Sequence, residues 1–238
     1  MNSIKIFLYV FTFLFFVNAV YSNDSGIRAI GGSWVLIKGE HPSVQMERET
    51  IDINVYSEYY DVIAVFIFKN HGEACEVYMG FPESGYGDIG GVFDTTTAFL
   101  SFSTSVDGIN VTAKREYVKG EHESWDEYRA YWIKQVSFKE NETKKIVVKY
   151  RSPLGSGISM YYMGSDKFIN YTFSGGNWYG KVEESRMDIY FHIPVEIRPN
   201  EKFDIKKELD HYTYIRTNWE AEEPFGITFR MKDADEAK

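Results

Sequence analysis

From Val44 onward the chain is built of short apolar segments that alternate with period two and are broken by turn residues. That pattern constrains the fold more than any other feature. Successive side chains on a strand point to opposite faces, so a period of two makes a sheet with one apolar face, whereas a helix needs a period near 3.6. VQMERE and TIDINVY alternate in this way. DVIAVFIFKN follows, with Val62, Ala64, Phe66 and Phe68 on one face and Val65 and Ile67 on the other, which predicts a strand covered on both sides. Three hairpins are expected: one turning at NHGE (70–73) with Gly72 at positive φ, one at Asp107-Gly108, and one at ENET (140–143). Asp-Gly is the strongest of the three signals, because a type I′ turn requires two residues that tolerate φ > 0.

Composition agrees with strands, with 18 Tyr and 18 Phe in 238 residues. One helix is expected near 121–132, in EHESWDEYRAYW, where Trp125, Tyr128 and Trp132 recur at helical spacing. Strands resume with RMDIYFHI, YTYIRTN and FGITFRM. The fold class read from this order is all-β, a β-sandwich or two joined sandwich subdomains. Pro153, Gly155 and Gly157 mark a boundary between a first β region (23–152) and a second (153–231) packed on it, with a frayed charged tail at 232–238.

Residues 1–22, MNSIKIFLYVFTFLFFVNAVYS, read as a signal peptide, with an apolar run from Ile6 to Val17 and small residues Val20 and Ser22 before the cleavage point. An uncleaved anchor is the alternative, but Asn18 interrupts the run short of the ~20 apolar residues a span requires. The expected location is therefore secreted or periplasmic, with no stable membrane insertion after cleavage. The single cysteine, Cys75, lies between Ala74 and Glu76 in a strand pattern and is expected to be buried and inert. With 26 basic and 35 acidic residues the chain is repelled by phosphate backbones, so nucleic acid is not an expected partner.

Several stretches approach catalytic or ligand motifs and fall short. GGNWYGKV (175–182) nearly matches G-x-x-x-x-G-K-[ST]. Val182 stands where the Mg²⁺-binding hydroxyl belongs, and Arg186 to Ile193 alternates as a strand where a phosphate loop needs a helix. The glycines are expected to turn a corner. His122-Glu123-Ser124-Trp125-Asp126 lacks the second His of H-E-x-x-H, leaving His122 and Asp126 as a weak metal alternative to a solvated face. Glu83, Asp88 and Asp94 surround a glycine-rich stretch that offers oxygens to a hard cation, or simply forms a connection. His41, His192 and His211 fall on separate segments without an accompanying nucleophile, so no catalytic residue and no cofactor is assigned. The candidate ligand-binding rings are Tyr161, Tyr162, Tyr171, Trp178 and Tyr179, amphipathic side chains suited to sugars or peptides when they share an exposed face.

AIGGSWVLIKGEHPSVQMERETIDI, YDVIAVFIFKNHG and VYMGFPE resemble the start of a family of secreted bacterial β-rich proteins known as a domain of unknown function. The resemblance extends through the later strands over residues 29–157, with FPES where that family commonly has F-P-x-P. It implies an exported all-β protein and carries over no catalytic residue. The sequence thus supports an exported, non-enzymatic β-sandwich that binds an envelope protein or glycan, or plays a structural part there. A carbohydrate- or peptide-binding module is the alternative, and a hydrolase or metal-dependent enzyme with an unrecognised site comes third.

Overall fold

The structure, a computed structural model, describes residues 31–32, 35–36, 41–86, 97–117, 127–158, 165–174, 178–198, 202–219 and 223–232. Their strands are, in chain order, β1 (Gly31–Gly32), β2 (Val35–Leu36), β3 (Val44–Val55), β4 (Tyr59–Asn70), β5 (Cys75–Tyr86), β6 (Ser101–Val106), β7 (Ile109–Val111), β8 (Lys114–Tyr117) and β9 (Glu127–Phe138). They continue with β10 (Thr143–Pro153), β11 (Gly155–Ile158), β12 (Ser165–Phe173), β13 (Val182–Phe191), β14 (Val195–Ile197), β15 (Lys206–Lys207), β16 (Tyr212–Trp219) and β17 (Glu223–Met231).

The protein is all-β, and no helix occurs among the described residues. An eight-stranded sheet runs β15-β16-β13-β3-β4-β10-β6-β7. A four-stranded sheet runs β2-β5-β9-β8, and a five-stranded sheet runs β1-β12-β17-β14 with β11 beside β12. Both smaller sheets pack against the large one. On one side Phe81 of β5 lies 5.6 Å from Tyr150 of β10, and Trp132 of β9 stacks at 4.4 Å on Phe102 of β6. On the other, Phe173 of β12 lies 5.7 Å from Tyr214 of β16, and Phe229 of β17 lies 5.0 Å from Phe191 of β13. One contiguous core draws residues from all three layers. Each fully buried ring or branched side chain in it contributes roughly 2–3 kcal/mol of transfer free energy.

The alternation maps onto this core closely. Ile51, Ile53 and Val55 of β3, Val62, Ala64, Phe66 and Phe68 of β4, and Met187 and Ile189 of β13 are all buried on the inner face. The opposite face of β4 is open, with Ile63 37% exposed and Val65 and Ile67 partly so. The strand is central in its sheet but not covered on both sides.

The expected helix is corrected where it can be seen. Residues 127–132 belong to strand β9, while 121–126 lie outside the described residues. Ala130, Trp132, Lys134, Val136 and Phe138 share the alternating positions of β9, and its polar member, Lys134, masks the period of two.

Two of the three expected hairpins are also corrected. Asp107 and Gly108 do turn β6 into β7, at φ 51° and 83°. By contrast β4 and β5 lie in different sheets, as do β9 and β10. At each of these junctions the chain arches from one layer to the facing one, so strands that follow one another in sequence stack instead of pairing. Gly72 is not at positive φ; a Cβ there would lie 2.8 Å from the Ser43 Cβ, so close packing is what excludes a side chain. Asn70, fully buried, ties both arches together. Its amide nitrogen donates to the carbonyls of Glu73 at 2.6 Å, Lys139 at 3.0 Å and Gly72 at 3.1 Å, and its oxygen accepts from the Ser43 hydroxyl at 2.8 Å. Its backbone N–H donates to the Glu142 carbonyl.

Two stability outcomes follow from this geometry. Asn70→Ala deletes a fully buried amide together with its bonds to three carbonyls and the Ser43 hydroxyl, and lowers the unfolding free energy by about 3 kcal/mol in urea titration, beyond the range of ordinary surface changes. Gly108→Ala forces a Cβ into left-handed backbone and costs about 1 kcal/mol in the same assay, although nothing crowds the position.

Candidate functional site

The outer face of the eight-stranded sheet carries a group of polar side chains across β3, β13 and β16. Asp52 stands beside Asp188 in the parallel β3–β13 register, and Asp188 stands beside Thr213 in the antiparallel β13–β16 register. Alternation keeps Arg186, Asp188 and Tyr190 on one side of β13, away from Met187 and Ile189. Arg186 grips Asp188 with both prongs of its guanidinium, Nε to Oδ2 at 2.7 Å and Nη2 to Oδ1 at 3.1 Å. The Thr213 hydroxyl donates to Asp188 Oδ1. His211 Nε2 lies 3.5 Å from that same oxygen, its Nδ1 lies 2.8 Å from Asp210 Oδ1, and its ring stacks on Tyr190 at 5.0 Å.

The two carboxylates sit in opposite electrostatic situations. Burial alone would raise the pKa of Asp188, but hydrogen bonds from Arg186 and Thr213 and the Arg186 charge bring it below the usual carboxylate value. Asp52 is pushed up by burial and by Asp188, with Arg186 only partly offsetting them. Asp52 forms no hydrogen bond with the described residues, so its oxygens are available to a ligand donor. Tyr190 is pushed up by burial and by the charges of Asp188, Asp52 and Asp210.

Toward the β3–β4 turn the same face continues as a row of stacked groups. His192 stacks on Tyr56 at 4.7 Å, Tyr56 lies 4.9 Å from Tyr59, and the Arg151 guanidinium covers Tyr59 at 3.9 Å. Arg151 makes a two-pronged pair with Asp61 at 2.7 and 2.8 Å, and Asn54 Oδ1 lies 2.8 Å from His192 Nε2. Because the rings cover one another, their edges and polar tips are what this part of the face presents.

The residues singled out from sequence are distributed otherwise. Tyr171 is fully buried 5.3 Å from Phe173, and Trp178 is buried 4.7 Å from Phe68, so both rings are core. Tyr179 is 47% exposed, 5.6 Å from His71. Tyr161, Tyr162, His122, Asp126, Asp88 and Asp94 lie outside the described residues. Glu83 is fully buried, and its carboxylate accepts from Trp132 Nε1 at 2.7 Å, the Thr97 hydroxyl at 2.9 Å, the Ala98 N–H at 3.0 Å and the Arg115 guanidinium. It serves to tie β5, β8 and β9 to the segment before β6. Among the described residues no three His, Cys, Asp or Glu side chains are placed to hold a metal ion.

Around GGNWYGKV, Gly180 is left-handed at φ 66° and β13 begins at Val182, which is buried. Gln45 Nε2 donates to the Lys181 carbonyl at 2.7 Å. The glycine turns the chain into a strand beside β3, and no helix terminus is present there to receive a phosphate. Cys75 is half-buried instead of buried, its thiol pushed up by burial, and it lines a shallow groove with Glu76, Lys139, Glu142 and Lys144. The Asp52–Asp188–Thr213 row was missed from sequence because it depends on β13 pairing with a strand far upstream; the alternation of RMDIYFHI gave only the face.

The architecture is similar to that of a Legionella pneumophila protein (lpg2210) described as a "putative nutrient binding protein", with a TM-score of 0.66 and 15% identity over 87% of this chain and 72% of that one. That likeness shows the fold. An M1 zinc metallopeptidase from Deinococcus radiodurans aligns at a TM-score of 0.33 and 7% identity, and the chain spans 44% of its length; so slight a likeness carries no functional argument. No protein-family model and no curated protein matches the chain. No helix among the described residues is long and apolar enough to cross a membrane.

Asp188→Asn and Asp52→Asn are expected to act in opposite directions. The lowered Asp188 contributes stability that is present above the unfolded value of 3.8 and is lost as pH falls through its folded value, so Asp188→Asn destabilises at pH 7 and the deficit is smaller at pH 3. The raised Asp52 opposes folding once ionised, so Asp52→Asn is neutral to stabilising at pH 7. Urea unfolding at the two pH values checks both signs.

Proposed function

We propose that this chain is an exported, non-enzymatic β-sandwich protein that binds a polar ligand or partner at the cell envelope through the outer face of its eight-stranded sheet. The observation that carries the reading is Asp52. It is a carboxylate set where burial and a neighbouring Asp188 oppose its ionisation, with no hydrogen bond to the described residues, inside a group otherwise locked by Arg186, Thr213 and His211. A charge held at a cost to stability beside preorganised polar groups is what a binding site requires. The signal-like residues 1–22, the resemblance to a secreted bacterial family and the fold of the Legionella protein support the same reading.

The test compares the mature chain with Asp52→Ala and with an Asp52→Ala/Tyr190→Ala double variant, in a glycan array and a pull-down from envelope extract. Capture by the wild type, reduced tenfold or more in both variants while their unfolding midpoints hold, is the expected result. Undiminished capture by the double variant moves the site off this face.

The second reading is a carbohydrate- or peptide-binding module using aromatic rings, and exposure of Tyr179 beside His71 favours it. Tyr161 and Tyr162 remain part of that proposal. Tyr179→Ala separates the two readings: it abolishes capture under this one and leaves it intact under the first.

A further inference from the structure

On the outer face of the eight-stranded sheet, β4 carries an apolar strip. Ile63 is exposed, Val65 and Ile67 are partly so, and Val147 of β10 lies beside Val65 in the antiparallel register. A strand that is apolar on both sides belongs in a sheet covered on both faces. Among the described residues only the inner face is covered.

The strip divides this face by charge. On its β3–β13 side stand four carboxylates, Asp52, Glu183, Glu184 and Asp188, against two guanidinium groups, Arg48 and Arg186. On its β10 side Lys145 and Lys149 are exposed and make no ion pair with the described residues, while Arg151 is answered by Asp61. The outward positions of β6 add only Ser101, Ser103 and Ser105, and Asp107 beyond them is paired with Lys144. Asp52 and Lys149 stand at the same level of the sheet, since both are in register with Ile63 from opposite sides.

We propose that the partner of this face is a second copy of the chain, docked face to face about a two-fold axis that runs along β4. The inference rests on the reading of the outer face as a binding surface and names its occupant. That axis lays Ile63, Val65 and Ile67 on their own counterparts and brings β3 of each copy over β10 of the other. Asp52 then meets Lys149 of the second copy, once on each side of the strip. Facing sheets lie about 10 Å apart, a gap that a lysine and an aspartate side chain span together. Burial and Asp188 oppose the ionisation of Asp52, and the facing ammonium offsets that opposition. Arg48 meets Lys145 in this arrangement, but it already pairs with Glu183 at 3.7 Å, and Glu184 stands beside it in register. A two-fold axis across the strands would instead set β3 on β3 and β10 on β10, like charge on like, so the charges select the axis. Five strands about 4.8 Å apart, over about six residue steps of about 3.3 Å, give a flat area on the order of 400 Å² per copy. That is small for a specific interface, so the dimer is weak and salt-sensitive, with a dissociation constant on the order of 10 μM.

Sedimentation equilibrium of the mature chain, from about 2 to about 200 μM, reads the association. Lys149→Glu and Asp52→Lys each set like charges across the seam and are expected to weaken it about tenfold or more. An equimolar mixture of the two variants is expected to associate nearly as tightly as the wild type, because each reversed side chain then meets the other. A role confined to the single chain produces no such rescue. A wild type that stays monomeric at about 200 μM, a dimer indifferent to both reversals, or a mixture no tighter than its components overturns the second copy. Should Asp52→Lys not fold, the exposed Lys149→Glu decides alone: tenfold weakening supports the dimer and an unchanged constant overturns it. The two readings fail separately. A monomeric wild type whose capture from envelope extract still falls with Asp52→Ala loses the dimer and keeps the binding face, and one that also captures nothing loses both.

Discussion

Burial of one sheet face organises this molecule. The inner surface of the eight-stranded sheet is too broad for either smaller sheet to cover alone, so the four-stranded and five-stranded layers share it. Aromatic side chains make most of the joins: Phe81, Phe99, Phe102 and Trp132 on one side, Phe173, Phe225 and Phe229 on the other. Rings suit this work because they bury large area with few rotors, and edge-to-face contacts add direction to an otherwise undirected force. Covering the inner face leaves the opposite face of the same strands as an open, rigidly supported polar surface.

Several polar groups in the interior are held in dense hydrogen-bond networks. Ser185 donates to the buried Glu49 at 2.6 Å and accepts from Trp219 Nε1 at 2.8 Å, joining β3, β13 and β16 through one hydroxyl. Glu83 is satisfied from four directions, and Asn70 holds the two inter-sheet arches. Such networks discriminate against shifted registers, because a one-residue slip would strand every member in an apolar layer. The outer face follows a different logic: Asp188 is saturated with partners while Asp52, one strand away, is left open.

Much of the architecture could be read from alternation alone, since the buried members of β3, β4 and β13 are those the pattern marks. What could not be read was which strands lie side by side. The segments NHGE and ENET have the composition of hairpin turns, but composition does not tell a turn within a sheet from an arch between sheets. In the segment leading into and through β9, Tyr128 and Trp132, with Trp125 upstream in the sequence, imitate helical spacing, and Lys134 interrupts the apolar series that would have revealed the strand. The aromatic site residues were chosen by ring content, which cannot separate a ring that fills the sandwich, such as Tyr171 or Trp178, from one that faces water, such as Tyr179. The Asp52–Asp188 neighbourhood required the parallel register, which no local pattern encodes.

The parallel seam between β3 and β13 bears on how the chain comes into being. Strand β3 is made early, yet the strand that lies beside it begins at Val182. A growing polypeptide must hold β3 with one row of amides and carbonyls unmatched until most of its length has emerged, and non-local pairing of this kind is slow to form. The layout therefore favours a chain that stays pliable during synthesis and locks late, when the distant strand slots in.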